Sequence, residues 1–288
     1  MEKNYYIQPK DIQIDEIYKR GATGKIYAGT FKNQKVVIKI FERSCKEFRN
    51  EILILTHLQN KAHHENIVEM IGYHETSNGK QFLELSHSLE STNFIVLEFV
   101  SGGSLFDKYH QLRTKKQKIS EEKITQYAKD IASGMKFIHE LNIIHCDLKS
   151  WNLLITEDDR IQICDFGFAI SNQKIEQNFD EQNTSLFGCW NPPESLNNFQ
   201  QNQFTQKTDV FHYGLLLFEM VSLQQPNSFY SKLKKFYQSE KNQNNVLFDL
   251  VSNDAGSCNK EILQIMVQCF QKDPEKRPTF EDIVNKFN

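Results

Sequence analysis

The chain has no long run of apolar residues, and this absence excludes a membrane-spanning helix. A bilayer crossing needs about 20 consecutive apolar residues, whereas the longest apolar runs here, such as 94–97, have the length of a buried strand. The first six residues also lack the apolar centre of a secretory signal peptide. From these absences we expect a cytoplasmic protein with no membrane span.

An excess of charge of one sign is missing as well. The 34 Lys and Arg residues against 37 Asp and Glu leave a net charge of -3, whereas proteins that coat nucleic acid carry a basic excess. We therefore expect no nucleic-acid partner. The six cysteines are scattered without a C-x-x-C pair, which is typical of reduced thiols in a cytosol.

What the sequence does contain changes in character near Gly102-Gly103. Before this point the residue patterns predict strands with one helix among them, at 35–40, 44–59 and 94–100. After it, apolar residues at helical spacing predict longer helices at 120–141, 208–221 and 260–270. The Asn/Gln-rich stretches 197–203 and 241–245 favour solvated loops, and the chain shows no internal repeat.

Residues 21–24, Gly-Ala-Thr-Gly, lie between two predicted strands. Such a segment is most often a hairpin turn, because glycine readily adopts positive φ, and a phosphate-binding loop is the rarer alternative. Lys39 on the next strand and Glu51 on the following helix are, taken singly, typical of solvated surface charges.

A denser set of polar residues follows the helix at 120–141. Asp147, Lys149 and Asn152 lie in the segment His-Cys-Asp-Leu-Lys-Ser-Trp-Asn, and Asp165 begins Asp-Phe-Gly after a short strand. Two carboxylates, an amide and an ammonium group could position Mg²⁺ and phosphate oxygens while one carboxylate acts as a base. The pattern therefore indicates phosphoryl chemistry.

Taken in order, these motifs resemble a eukaryotic protein kinase domain from about residue 15 to residue 287. The resemblance continues through Pro192-Pro193-Glu194, Asp209 to Gly214 and Cys269 to Pro278. His64 to Val68, Trp190 and Lys149 are similar to those of tyrosine-kinase-like Ser/Thr kinases. The resemblance implies an α+β, bilobal kinase fold, with a small β-rich N-lobe with one helix over 1–100 and a larger, mainly α-helical C-lobe over 101–288.

The resemblance also implies the roles of individual residues, with ATP and Mg²⁺ as cofactors. Asp147 would accept the proton of the substrate hydroxyl and Lys149 would steady the γ-phosphate, while Lys39 would pair with Glu51 and hold the α- and β-phosphates. Asn152 and Asp165 would bind the metal. The nucleotide would contact Tyr18, Gly21, Ala22, Thr23, Gly24, Ile26, Val37, Lys39, Glu98, Val100 and Leu154, with Leu97 closing the pocket behind the adenine.

Other motif residues are architectural in this family. The resemblance places His145 with Asp209, Leu55 and Phe166 in a packed spine, and it pairs Arg277 with Glu194 in a buried ion pair.

The implied function is transfer of the γ-phosphate of ATP to a serine or threonine hydroxyl of a protein substrate. Three departures from the family keep an alternative open. Lys19 replaces the first glycine of the loop, and Cys146 replaces an arginine. Counting back from Trp190, Leu186-Phe187 replaces Gly-Thr, and a shifted register would use Gly188-Cys189 or Thr184 in its place. That alternative is a nucleotide-binding pseudokinase acting as a scaffold or allosteric module. Dual-specificity or tyrosine phosphorylation would change only the acceptor, and the oligomeric state is unassigned.

Overall fold

The computed structural model describes residues 5–20, 24–41, 46–76, 89, 92–171, 191–195, 204–239, 244–256 and 258–287. The chain divides into two compact units: unit 1 comprises Met1–Ser101 and Cys164–Ala169, and unit 2 comprises Gly102–Ile163 and Ile170–Asn288. Within the described ranges, no helix combines the length and apolar character needed to cross a membrane.

Unit 1 is built on an antiparallel sheet of five strands in the order β1-β2-β3-β5-β4. The strands are β1 (Ile12–Arg20), β2 (Gly24–Phe31), β3 (Gln34–Phe41), β4 (Met70–His74) and β5 (Asn93–Glu98). One helix, α1 (Lys46–Lys61), follows β3 and packs against β4 and β5. The helix at 44–59 and the strands at 35–40 and 94–100 predicted from the sequence are confirmed, with shifts of about two residues at their ends.

The two faces of this sheet differ because side chains alternate along each strand. One face forms a core that contains Tyr27, Val36, Ile38, Ile40 and Val96, each no more than 1% exposed. The hairpin between β2 and β3 turns at 32–33, where both residues have positive φ, the geometry of the tight turns that suit the twist of paired strands. This hairpin fixes the register that brings Lys39 opposite Ile26.

Unit 2 is mainly helical. Its helices are α2 (Leu105–Thr114), α3 (Glu121–Glu140), α4 (Gln206–Ser222), α5 (Asn227–Gln238), α6 (Asn244–Ala255), α7 (Lys260–Cys269) and α8 (Phe280–Lys286). Four short strands form two pairs, β6 (Ile143–Ile144) with β9 (Ile170–Ser171), and β7 (Leu153–Ile155) with β8 (Ile161–Ile163).

Side-chain caps set the starts of several of these helices. Ser104 and Asp107 form a reciprocal capping box at the start of α2, and Thr205 caps α4 in the same way. Such caps satisfy backbone N–H groups that have no partner inside the helix. The helices predicted at 120–141, 208–221 and 260–270 are confirmed as α3, α4 and α7.

One loop prediction from the sequence is wrong at its C-terminal end. The Asn/Gln-rich stretch 241–245 favours a solvated loop, but α6 begins at Asn244, and 241–243 lie outside the described residues. The helix forms because Leu247 and Val251 are buried, and this apolar spacing outweighs the weak helix preference of asparagine. The stretch 197–203 lies outside the described residues.

Candidate active site

Lys39 is the centre of a buried charge cluster in unit 1. Its Nζ donates to Glu51 Oε2 at 2.7 Å and to Asp165 Oδ1 at 2.8 Å. β3 carries the lysine and α1 carries Glu51, and both residues are at least 94% buried. Because one cation serves two acids, the cluster keeps an ammonium group inside the protein.

The electrostatics of this cluster follow from burial and from its own charges. Burial acts to lower the pKa of Lys39, but the charges of Asp165 and Glu51 outweigh it, so its pKa lies above the ordinary value. Burial raises the pKa of Glu51, and the charge of Lys39 opposes that rise. We conclude that Lys39 stays charged at any physiological pH.

The face of the sheet that carries Lys39 also carries the apolar residues predicted to hold the adenine. Ile26 is the strand partner of Lys39, and Val37 is the partner of Leu97, so all four side chains share one face. Ile26 and Val37 are half-buried, whereas Leu97 is 7% exposed. The face therefore presents apolar surface beside a buried cation, which suits a flat base attached to phosphates.

Gly24 has a steric reason to be glycine. A Cβ at this position would lie 1.9 Å from the backbone oxygen of Ile40 on β3, so any other residue would separate β2 from β3. This close approach requires the glycine whether or not a nucleotide binds.

Several predicted nucleotide contacts lie outside the described residues. Gly21, Ala22 and Thr23 are among them, as is the side chain of Tyr18, although its backbone belongs to β1. Glu98 ends β5, and its N–H donates to the oxygen of Glu69 at 3.0 Å, so that N–H is not a donor for a base. Val100 is 8% exposed.

The second group of predicted catalytic residues lies in unit 2, in the loop 145–152. Lys149 Nζ donates to both carboxylate oxygens of Asp147, at 2.8 and 2.6 Å. Asn152 Nδ2 donates to the backbone oxygen of Asp147 at 2.8 Å and to its Oδ2 at 2.9 Å. The structure thus brings Asp147, Lys149 and Asn152 together, with the Asp147 carboxylate as the common acceptor.

Asp209, in the first turn of α4, holds this loop through hydrogen bonds to its backbone. Its carboxylate accepts from the backbone N–H of His145 at 2.8 Å and of Cys146 at 2.9 Å, and it contacts His139 Nε2 at 2.9 Å. Burial acts to raise the pKa of Asp209, but these interactions outweigh it and hold the pKa below its ordinary value. The N–H donors therefore fix both the carboxylate and the loop.

Cys146 occupies a strained position in the same loop. Its φ is 65°, a left-handed conformation that is uncommon for residues other than glycine, and the bond from its N–H to Asp209 holds it there. Its side chain is 4% exposed, and burial raises the pKa of the thiol. The position therefore supplies a neutral group where the resemblance noted in the sequence implies an arginine.

Leu154, the predicted floor of the adenine pocket, lies on β7 and is half-buried. The Gly102-Gly103 segment runs beside this strand: Gly102 N–H donates to Ile155 O at 2.8 Å, and Ile155 N–H donates to Gly103 O at 2.9 Å. A Cβ on Gly102 would lie 2.5 Å from the Ile155 oxygen, and Gly103 has a φ of 70°. Both glycines are thus required by the backbone geometry.

The predicted ion pair of Arg277 with Glu194 is confirmed. Nη1 and Nη2 of Arg277 donate to the two carboxylate oxygens of Glu194 at 2.8 and 2.6 Å, and Arg277 is 2% exposed. Two further bonds, to the backbone oxygens of Lys207 and Gln271 at 2.9 Å, use two more of its five N–H donors. The pair connects the Pro-Pro-Glu segment to the end of the chain. Leu186 and Phe187 lie outside the described residues.

Two residues around these clusters were not singled out from the sequence. Asn50 precedes Glu51 on α1, and its amide donates to three backbone oxygens between Phe166 and Ala169. His139, near the end of α3, contacts Asp209. Neither belongs to a motif. A polar residue at a position of α1 that should be buried was the only available signal for Asn50.

Comparison with known proteins assigns this arrangement to a family. The model of the family described as protein tyrosine and serine/threonine kinase matches residues 12–287. That match covers every residue of the two charge clusters described in this subsection.

The individual relatives found by comparison are also named as protein kinases. The chain is 27% identical to "Dual specificity protein kinase shkC" of Dictyostelium discoideum, over 97% of this chain and 51% of the relative. It is 27% identical to "Serine/threonine-protein kinase STY17" of Arabidopsis thaliana, over 98% and 45%. It is 30% identical to "Putative mitogen-activated protein kinase kinase kinase 7-like" of Drosophila melanogaster, over 91% and 62%. The chain thus spans roughly half the length of these relatives.

Proposed function

Because the chain belongs to the protein tyrosine and serine/threonine kinase family, we propose that it transfers the γ-phosphate of ATP to a serine or threonine hydroxyl of a protein substrate. The names of two relatives, STY17 and a mitogen-activated protein kinase kinase kinase, support this acceptor. Another relative is named a dual specificity kinase, so tyrosine is the second candidate acceptor.

The geometry around Asp147 carries the proposal. A base for the substrate hydroxyl needs a carboxylate oxygen held in a fixed direction, and Lys149 and Asn152 hold this carboxylate through three bonds of 2.6–2.9 Å. Asp147 accepts the hydroxyl proton as the hydroxyl oxygen attacks the γ-phosphorus, the bond from this phosphorus to the β,γ-bridging oxygen breaks, and ADP leaves with that oxygen. Lys149 is 34% exposed at its side chain, and it places a positive charge beside the transferred group.

We assign the phosphate-holding role to Lys39, whose charge is maintained by its two acid partners. Glu51 orients the ammonium group, so that it meets the phosphates without reorganisation.

Oxygen donors are the ligands that Mg²⁺ prefers, and the two proposed metal ligands offer them. The Asp165 side chain is 28% exposed beside Lys39, and Asn152 uses its amide nitrogen for Asp147, which leaves the amide oxygen as its ligand atom. Bound Mg²⁺ would neutralise charge on the phosphate oxygens.

The proposal includes a set of residues that contact the nucleotide. We assign contacts with the adenine to Ile26, Val37 and Leu154, and hydrogen bonds with it to backbone groups of Glu98 and Val100 other than the Glu98 N–H, which bonds Glu69. From the family resemblance we also assign nucleotide contacts to Tyr18, Gly21, Ala22, Thr23 and Gly24. The net charge of -3 supports the further proposal that the protein has no nucleic-acid partner. We also propose a cytoplasmic location, in line with the scattered cysteines.

The test is transfer of labelled γ-phosphate from Mg-ATP to the protein itself and to a generic basic protein. We expect Asp147→Asn to lower the transfer rate on the order of 10²- to 10⁴-fold, since general-base catalysis contributes about that much. Nucleotide binding should persist, because the proposed contact of Asp147 is with the acceptor hydroxyl and not with the nucleotide. Asp158→Asn, on the exposed turn between β7 and β8, is the matched control and should keep full activity.

The label should be recovered as phosphoserine or phosphothreonine, and phosphotyrosine would instead support the dual-specificity candidate. Mg-ATP binding without transfer in the unaltered protein would contradict the proposal and favour the pseudokinase scaffold.

A further inference from the structure

The side chain of Asn50 connects α1 to the segment that begins with Asp-Phe-Gly. Asn50 Nδ2 lies 3.3 Å from the oxygen of Phe166, 3.0 Å from that of Gly167 and 2.8 Å from that of Ala169. The amide has only two hydrogens, so the three oxygens share them. Asn50 is 9% exposed, and Phe166 and Ala169 are fully buried. The Phe166 oxygen also accepts from the Ala169 N–H at 3.1 Å, and a buried carbonyl group that loses its donor would be costly.

The segment is also strained and closely packed at this point. Asp165 has a φ of 65°, a conformation that non-glycine residues retain only where their surroundings impose it. A Cβ on Gly167 would lie 3.3 Å from Glu47 Cβ on the first turn of α1, so the backbone of the segment lies directly against the helix. Lys39 holds the Asp165 carboxylate at 2.8 Å, but that contact does not fix the backbone that follows.

Asparagine at this position is not explained by the helix itself. It is a weak helix former in a helix interior, and its side chain is turned away from solvent. Of the side chains of similar size, aspartate presents only acceptors and leucine presents neither donor nor acceptor. The position therefore requires a donor of this length.

We propose that Asn50 is a positioning residue that fixes the backbone of 165–169 against α1 and thereby sets the direction of the Asp165 carboxylate. Asn50 acts next to Glu51, so two consecutive residues of one helix position the lysine and the metal ligand. The inference rests on the proposed role of Asp165 in metal binding.

The test compares Asn50→Leu with Gln59→Leu. Gln59 is the matched control, because it is an amide on the same helix that bonds Met70 of β4 at 3.0 and 3.1 Å and lies away from the cluster. We expect Asn50→Leu to raise the Mg²⁺ concentration for half-maximal transfer several-fold and to lower kcat on the order of tenfold. Gln59→Leu should leave both values unchanged.

A second readout does not depend on activity. Cys164, which directly precedes Asp165, is half-buried, and its alkylation by iodoacetamide, followed by mass spectrometry, reports local opening of the segment. Because local opening governs the labelling rate, we expect Cys164 to react about tenfold faster in Asn50→Leu. The labelling of the buried Cys269 should not change. If Asn50→Leu does not fold, Asn50→Asp keeps the size and should show the same effects, because a carboxylate cannot donate to the three oxygens.

Equal Mg²⁺ requirement and equal Cys164 labelling in Asn50→Leu and Gln59→Leu would overturn the inference. If the unaltered protein shows no transfer at all, the proposed function fails, and the Cys164 labelling rate alone then decides the role of Asn50.

Discussion

In unit 1 the acids Glu51 and Asp165 share the ammonium group of Lys39, whereas in unit 2 the buried acid Asp209 is held mainly by N–H donors. The first arrangement balances charge with charge and leaves a cation for a ligand. The second uses a carboxylate as a rigid connection between a helix and a loop. The difference indicates that substitutions in unit 1 should affect ligand handling first, and those at Asp209 should affect folding first.

The largest effect should follow Asp209→Asn. The amide would face the N–H groups of His145 and Cys146 with one acceptor and one donor group, so buried donors lose their partner. At about 1–3 kcal/mol for each unsatisfied group, the free energy of unfolding should fall on the order of 4 kcal/mol. The transfer rate of the remaining folded protein should fall as well, because loop 145–152 loses its anchor.

Chemical denaturation and kcat measured on the same samples check this. Asp130→Asn is the control, since Asp130 is also buried and accepts from Arg160 and from the Ile161 N–H at 3.0 Å, but does not contact loop 145–152. Both variants should be less stable, and only Asp209→Asn should lose kcat. Equal kcat values would show that Asp209 has no positioning role.

Glu219 extends the comparison, because it is a buried acid of unit 2 that Arg113 neutralises only in part. Burial raises its pKa to about 7, against the smaller opposing effects of Ser150 and Arg113. Arg113 Nη2 and Glu219 Oε2 are both buried without a hydrogen bond in the described part of the chain. Burial raises the pKa of the neighbouring Tyr109, and the charge of Glu219 raises it further.

The sign of the pH effect follows from this raised pKa. The folded protein binds the Glu219 proton more tightly than the unfolded chain does, so its contribution to stability is present below about pH 4.5 and is lost as the pH rises to about 7. The loss should amount to about 3 kcal/mol at most. We expect Glu219→Gln to remove this pH-dependent loss. The variant should therefore gain stability relative to the unaltered protein as the pH rises from 5 to 8.

Denaturation midpoints across this range measure the effect. Glu157→Gln, on the exposed turn after β7, provides the control with an unburied acid. Parallel stability curves for Glu219→Gln and the unaltered protein would contradict the assignment.

In unit 1, Glu51→Gln should spare stability and reduce activity. Lys39 keeps Asp165 as a partner at 2.8 Å, so no buried cation is left alone, and the amide has the shape of the acid. The ammonium group loses one of its two orienting contacts, and small misplacements of this kind cost on the order of 10- to 100-fold in rate. We expect kcat/KM for ATP to fall by that factor.

A thermal melt beside the kinetic assay separates the two effects. Glu75→Gln, which breaks a surface pair with Arg49, should change neither, since exposed pairs contribute little. A large loss of stability in Glu51→Gln with normal kcat/KM would reverse the contrast drawn between the two units.

How far the sequence could predict this structure differs between the same regions. Ordered motifs identified the residues around Lys39 and Asp147, because phosphoryl transfer restricts their type and spacing. The start of α6 was not predictable, since asparagine and glutamine carry no apolar pattern and tertiary packing decides. The capping box of Ser104 and Asp107 was a signal for α2 that the sequence did contain. The role of Asn50 depends on which distant carbonyl groups the fold brings to it, and no local pattern encodes that.

The smallest effect is expected from the segment that follows Asp-Phe-Gly. Cys146 is 4% exposed and its thiol is neutral, so loop 145–152 has no cation at this position that could bind a phosphate through paired charged bonds. We therefore expect Thr184→Ala with Ser185→Ala to change kcat less than about twofold, since no such contact is lost. Phosphatase treatment of the unaltered protein provides the control. Abolished transfer in the double variant, with a phosphate mapped to either residue, would show that another basic group performs this function.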